Sequence, residues 1–318
     1  MWLTVLGALL VVAVLVDLGW TTLAPAAGKG PLTRAVGRLT WRATARSWSH
    51  TARQARGYVV LVGVLLTWVA VTWFGWSLVF LGADGAVVDS ATGESAGGFA
   101  RVAYAGTSML GGNIGFAAGS ASWGFATALA AFTGFAEVSL SVTYLFQVVS
   151  ATGHKRATAL AIDALGSSPA AIVSPGLGRP DLGPVGQALS SLAVDLALVA
   201  RHHRSLPVLH FLHVPARDSA IEVAAARLSD AILVAEVADG SSPTTRRFRT
   251  LLGAYLDTVP IRRDVGDAPP APAPPPDRRD LEPAIVAAAH GDHERRARFR
   301  ALVEQNAWSW DDVEAVVA

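Results

Sequence analysis

The sequence predicts an all-α membrane protein with a polar helical domain attached, and three observations point there. The 318 residues are 52% hydrophobic and only 16% charged, with mean hydropathy +0.39, where soluble domains carry about 25% charge. Three apolar stretches in the first half reach the ~20 residues that a helix needs to cross the hydrocarbon core. Between the second and third lies GFARVAYAGTSMLGGNIGF, Gly98 to Phe116, too short and too rich in Gly, Ser and Thr to span, yet too apolar for an exterior loop. Such a segment dips into the membrane and returns. Non-helical backbone is tolerated at that depth only where protein buries it or it lines a water-filled cavity. The absence of cysteine excludes disulfides and thiolate metal sites. A net charge of +1 singles out no partner, and a nucleic-acid partner is not expected.

Residues 1–23 form the first predicted span. A signal peptide is the rival, but no Lys or Arg precedes Lys29, so its positive leading region is missing. Asp17 falls near the end of the span, where a solvated end is the expected state and an intramembrane partner the alternative. Residues 24–56 follow, with seven cations from Lys29 to Arg56 and no acid among them. Positive residues in short loops stay cytoplasmic, so the N-terminus is expected outside, in a bacterial plasma membrane. Arg34, Arg38, Arg42 and Arg46 recur every fourth residue beside an apolar stripe, the pattern of a helix lying on anionic lipid. A solvated connecting helix is the plainer reading of the same residues.

Residues 57–82 form the strongest span, free of charge from Tyr58 to Leu81. Trp68, Trp73 and Trp76 on it read as lipid-facing anchors or as helix packing. Ala83 to Gly97 is an acidic exterior turret. The re-entrant segment occupies 98–118 and the inner helix 120–150. Small residues in the first half of that helix allow close approach, and Gly134 serves either a hinge or such an approach. Glu137 lies near the middle of the span, where an ionisable side chain faces a cavity or a partner. The expectation is a pore-lining or gating role for Gly134 and Glu137, against a carboxyl held between helices.

This order of span, turret, dipping helix, glycine loop and inner span, over 57–150, resembles the two-helix pore module of bacterial potassium-channel-like proteins. Ile114-Gly115-Phe116 falls on the Val/Ile-Gly-Tyr/Phe core of that family's filter, T-[VI]-G-[YF]-G-D. Asn113 stands for the threonine, Ala117 for the second glycine and Ala118 for the acid. The resemblance implies a homotetramer around a pore, with Phe99 to Leu110 as pore helix and Gly111, Gly112, Asn113, Ile114, Gly115, Phe116 and Ala117 as a degenerate filter. In the family, backbone carbonyls replace the hydration shell of K⁺. It implies passive permeation of K⁺ or Na⁺, with K⁺ selectivity altered or lost.

The second half reads as a cytosolic helical domain over 151–264, a stiff Pro/Ala linker over 265–279 and a charged helical tail over 280–318. The tail docks either to the bundle or to a cytosolic partner. His202, His203, His210 and His213 form a cluster without the carboxylates that complete a metal site. No phosphate loop, no G-x-S-x-G and no paired carboxylates occur, so the chain is not expected to be an enzyme or to hold a cofactor. Two other readings stay open: a channel-derived scaffold that no longer conducts, and a mechanosensitive-type channel.

Overall fold

The computed structural model describes residues 1–23, 30, 32, 35, 36, 39, 50–113, 115–261 and 265–314, and for 50–56 and 207 the backbone alone. Arg34, Arg38, Arg42 and Arg46, expected on a lipid-facing helix, lie outside the described residues, as does Ile114. The chain forms two compact units, Met1–Arg46 with Tyr58–Val148, and Ser47–Gly57 with Val149–Ala318.

The first unit is built on α1 (Trp2–Leu23), α2 (His50–Leu81), α3 (Gly98–Met109) and α4 (Ala121–Asp163). Leu, Val and Ala without proline let α1 run unbroken, and a helix satisfies its own backbone where water is absent. The amino terminus donates to the Gly82 carbonyl at 3.1 Å, so α1 begins where α2 ends. The two backbones touch along the way. A Cβ on Gly7 would lie 2.4 Å from the Gly75 carbonyl oxygen, and glycine there permits the crossing.

The short α3 is wedged against both α2 and α4. Phe80 meets Tyr104 edge-to-face at 5.2 Å, the Tyr104 hydroxyl bonds the Thr127 hydroxyl at 2.9 Å, and the Trp73 indole donates to the Val102 carbonyl at 3.0 Å. Trp76 donates to the Thr133 hydroxyl at 2.9 Å. Trp68 and Trp76 are buried packing residues, not lipid-facing anchors, and Trp73 is partly exposed. The turret is held from below by Arg101. Its guanidinium donates to the Ala96 and Ala83 carbonyls, to Ser95 and to the Asp84 carboxylate, at 2.8–3.1 Å. The turret also contributes β1 (Val87–Asp89), which pairs antiparallel with β2 (Phe116–Ala118) in the register Val88↔Ala117. This ladder, three residues a side, is the sheet among the described residues of an otherwise helical chain.

The second unit contains the end of α4, then α5 (Pro169–Val173), α6 (Gly183–Ser205), α7 (Ile221–Asp239), α8 (Pro243–Thr258), α9 (Glu282–Gly291), α10 (His293–Gln305) and α11 (Asp311–Glu314). Helix α4 passes without a break through residue 150, where the span was expected to end. Every residue of α7 from Ile221 to Ala235 is buried. A helix buried on all sides lies at the centre of a bundle, and its charged Glu222, Arg227 and Asp230 are paired there. Helix α6 lies in the region 180–205, a fourth stretch long and apolar enough to cross a membrane. Leu189, Leu192, Leu196 and Val199 on it are buried in the core that α7 centres.

The proline-rich stretch is a packed strap. Pro269, Pro272 and Pro275 are buried while their neighbours are not. Burial every third residue is the period of a polyproline II helix with one face down. The tail docks on the bundle as well, where Phe299, Leu302, Val303, Trp310 and Val313 join the same core.

Candidate functional site

Residues Leu110 to Ala117 begin at the carboxyl end of α3. Leu110, Gly111 and Gly112 turn back their amides onto the Thr107 and Ser108 carbonyls at 2.9–3.1 Å, which ends the helix with its last oxygens satisfied. The Asn113 amide oxygen accepts from Ser108 Oγ at 2.9 Å and from Thr107 Oγ1 at 3.3 Å. Asn113 therefore fastens the loop to its own helix. Gly111 and Gly115 take φ of 76° and 79°, the left-handed region that glycine enters without strain.

The depth of this turn follows from Gly134. A Cβ there would lie 2.1 Å from the Met109 carbonyl oxygen, so the end of α3 rests directly on α4. Gly134 is about 20 Å along α4 from Ala121 at ~1.5 Å per residue, well inside a hydrocarbon core of ~30 Å. Leu110 to Asn113 are nonetheless exposed, Leu110 at 86%. Among the described residues, the carbonyls of Leu110, Gly111 and Gly112 accept no hydrogen bond. The glycine loop thus presents carbonyls that meet no donor among the described residues.

The upper half of the loop differs. Ser90 N–H donates to the Gly115 carbonyl at 3.1 Å and Gly119 N–H to the Ala86 carbonyl at 3.1 Å. These bonds lie two residues to either side of Val88↔Ala117, so that pair exchanges both of its bonds. The carbonyls of Gly115 and Ala117 are engaged with β1. Ala117 sits in ordinary strand geometry, without the positive φ of the glycine it replaces in the family pattern. The expected filter residues divide accordingly: Gly111, Gly112 and Asn113 at the open tip, Gly115, Phe116 and Ala117 in the ladder region.

Glu137 and Gly134 lie on the face of α4 turned toward the rest of the unit, with Ala130, Thr133, Tyr144 and Val148. The outward face instead carries Phe125, Phe132, Phe135, Val138, Val142 and Phe146. Gly134 is a site of close approach. The Glu137 carboxyl is 1% exposed, and neither of its oxygens has a hydrogen-bond partner. The Thr72 hydroxyl on α2 is its hydrogen-bonding neighbour, though it falls outside strict hydrogen-bond geometry.

Asp17 carries a second buried carboxyl, where a solvated end was expected. It is 1% exposed, and it accepts from the Trp68 indole at 3.0 Å and the Leu32 amide at 2.9 Å. Gly30 passes so close that a Cβ would lie 2.2 Å from its oxygen. Trp68 in turn meets Tyr144 edge-to-face at 5.7 Å, so one chain of contacts links α1, α2 and α4. The sequence signal was the charge itself. An acid within an apolar run is expensive, and expensive groups find partners.

In the second unit, His203 Nδ1 lies 3.2 Å from His210 Nδ1, and His202 packs edge-on against His154 at 5.9 Å between ring centres. His213 is buried and acts electrostatically on Glu222. The histidines thus fall around a buried pair, in which Lys155 Nζ donates to Glu222 at 2.9 Å and to the Leu212 carbonyl at 3.3 Å. Among the described residues no group of three His, Cys, Asp or Glu could hold a metal. Burial and then the Lys155 ammonium hold the His203 imidazole well below the usual histidine range.

Among known proteins, the chain is 26% identical over 328 aligned positions to the uncharacterized membrane protein YdjJ of Bacillus subtilis (strain 168), covering 98% of this chain and 96% of the relative. No family model matches the chain, and no solved structure matches it. With four stretches long and apolar enough to cross a bilayer, the chain is an all-α membrane protein.

Proposed function

We propose that this chain is an ion-channel-like membrane protein, passively permeable to monovalent cations, in which copies of the glycine loop surround a shared path. The observation that carries the reading is the exposed loop at Leu110 to Asn113, resting through Met109 on Gly134 at membrane depth. Open carbonyls in hydrocarbon would each cost several kcal/mol, on the order of a lost hydrogen bond or more. Neighbouring copies and a water-filled path remove that cost, and carbonyl oxygens are the ligands that replace the water of K⁺ or Na⁺. A homotetramer in the plasma membrane fits the potassium-channel-like order of elements. The cations between Lys29 and Arg56 favour an outer N-terminus and an inner C-terminus. The relative's name as a membrane protein agrees with this location.

A second reading is favoured by the ladder. With the Gly115 carbonyl bonded to Ser90, the upper loop has fewer oxygens to offer an ion, as suits a scaffold that no longer conducts. Purified full-length protein in planar bilayers separates the two. The channel reading expects K⁺ or Na⁺ current, and Asn113→Ala should change the K⁺/Na⁺ permeability ratio several-fold by releasing the loop from Thr107 and Ser108. Absence of current at all potentials would favour the scaffold. Current with an unchanged ratio would remove Asn113 from the path.

A further inference from the structure

The seam between α2 and α4 holds a set of polar groups that the loop reading does not use. The Thr72 hydroxyl, both Glu137 oxygens, the Ser141 hydroxyl and the Tyr144 hydroxyl are buried and lack a hydrogen-bond partner among the described residues. Glu137, Ser141 and Tyr144 are spaced i, i+4 and i+7, so they lie on one face of α4 over a rise of about 10 Å. Thr72 faces Glu137 from α2. Thr72 and Tyr144 are 0% exposed and Glu137 1%. Above and below, the seam is satisfied: Trp76 bonds Thr133 at 2.9 Å at one end, and Trp68 bonds Asp17 at 3.0 Å at the other. In sequence, the orphaned groups fall between these points on both helices.

Buried polar groups almost always find partners, and a run of exceptions marks water or an ion. Glu137 takes part in no ion pair among the described residues. Arg101 is committed to Asp84 in the turret, and Asp17 lies at the Trp68 end. A carboxyl in a membrane interior without a cation is costly, and the smallest ligand that removes the charge is a proton. A single metal cation would need its oxygens within ~2.3–2.6 Å, whereas three of these groups are strung over two turns of helix. That spacing suits a short file of waters.

We propose that Thr72, Glu137, Ser141 and Tyr144 form an internal site for water and a proton in the α2–α4 seam of each protomer, separate from the glycine loop. Glu137 is the proton-binding group, and the three hydroxyls relay hydrogen bonds along the file. The site does not depend on whether the loop conducts.

The test uses the full chain in lipid nanodiscs with two probes. Radiolytic hydroxyl labelling reports side chains beside bound water. Tyr144 and Tyr104 are matched controls, exposed at 0% and 2%, but the Tyr104 hydroxyl is already bonded to Thr127. The expected result is oxidation of Tyr144 several-fold above that of Tyr104. Dicyclohexylcarbodiimide reacts with protonated carboxyls in apolar surroundings. It is expected to modify Glu137, with a yield that falls as pH rises and an adduct missing from Glu137→Gln. Equal silence of Tyr144 and Tyr104, or no Glu137 adduct at any pH, overturns the proposal.

Discussion

The two units treat buried charge in opposite ways. In the second, each deeply buried carboxylate has a buried cation: Glu222 has Lys155 at 2.9 Å, and Asp230 has Arg296 in a two-pronged pair at 2.9 Å each. Asp163, less buried, receives the fully buried Arg227 at 2.6 Å. In the first unit, Glu137 meets no donor in hydrogen-bonding geometry among the described residues. The reason is physical. A lysine or arginine brought to a membrane interior is itself expensive, so pairing there recovers only part of the cost of two desolvated charges. Water or a proton is then the alternative compensating group at a carboxyl such as Glu137. In the second unit, a buried arginine pairs with its acid and uses its remaining donors to fasten chain segments. Arg296 does this with the Pro269 and Pro270 carbonyls, and Arg227 with those of Asp312 and Val313.

The strongest way to sharpen this contrast is to remove one cation from the second unit. Arg296→Leu leaves Asp230 buried and uncompensated and frees the strap. Breaking a buried pair from one side costs about 3–5 kcal/mol. Hydrogen exchange across Ile221–Asp239 should accelerate accordingly, while exchange in the first unit stays unchanged. The double variant Asp230→Leu with Arg296→Leu should recover much of the protection, because the stranded charge is gone. If single and double variants lose equal protection, the arginine acts through its stem and its strap bonds, and the charge contrast fails at this site.

What could be read from the sequence follows the same division. The spans α1, α2 and α4 were legible because a continuous apolar run has one economical fate in a bilayer. The short helix α3 between them was legible as a segment of twelve residues, too short to cross one. The pairings were not. Arg227 and Asp163 stand 64 residues apart, Arg296 and Asp230 66, and Trp68 and Asp17 51, and nothing in local spacing links such partners. The Pro/Ala run read as a linker because its composition is stiff and polar-flanked; its three-residue burial depends on the groove that receives it. The fate of the I-G-F motif was hidden for a related reason. The ladder that engages Gly115 is made with the turret, whose acidic, Gly/Ser-rich sequence carries only the brief Val87-Val88 hint of a strand.

A smaller effect tests the depth of the loop. Gly134→Ala places a methyl group where the Met109 carbonyl already lies, and α3 or α4 must move. Overpacking of this kind costs about 1–3 kcal/mol. Gly124 on the same helix is the control, since a Cβ there meets nothing within 4 Å. Gly124→Ala should be neutral, or stabilising by up to ~1 kcal/mol through helix propensity. Thermal unfolding of the full chain in detergent is expected to order the proteins Gly134→Ala, wild type, Gly124→Ala from least to most stable. Equal melting of the two alanine variants would mean that α3 does not rest on α4 at this point.

The smallest effect expected is the pH response of the second unit, and it returns to the contrast in charge handling. His203 is held neutral by burial and by Lys155, with its affinity for protons well below the usual value of 6.5. The unfolded chain therefore binds a proton near pH 6.5 that the folded chain refuses. Stability is complete above that pH and declines as pH falls below it, by at most about 1.4 kcal/mol per pH unit for one proton. His202, lowered chiefly by burial and then by His154 and Arg201, adds a contribution of the same sign. Burial opposes the charge of Glu222, but Lys155 outweighs it and lowers the affinity of the carboxylate for protons. Its contribution is present above the usual value of 4.5 and is lost only as pH falls further. Between roughly pH 6.5 and 5 the histidines lower stability as pH falls, while Asp230 and Glu314, whose proton affinities burial raises, contribute with the opposite sign as they protonate. Hydrogen exchange over Gly183–Ser205 and Pro243–Thr258, which carry His203 and its ring neighbour Tyr255, should quicken across that window in the wild type. His203→Gln should remove most of the slope. A slope that survives the substitution would place the pH response on other groups, with the Lys155–Glu222 pair the first to examine.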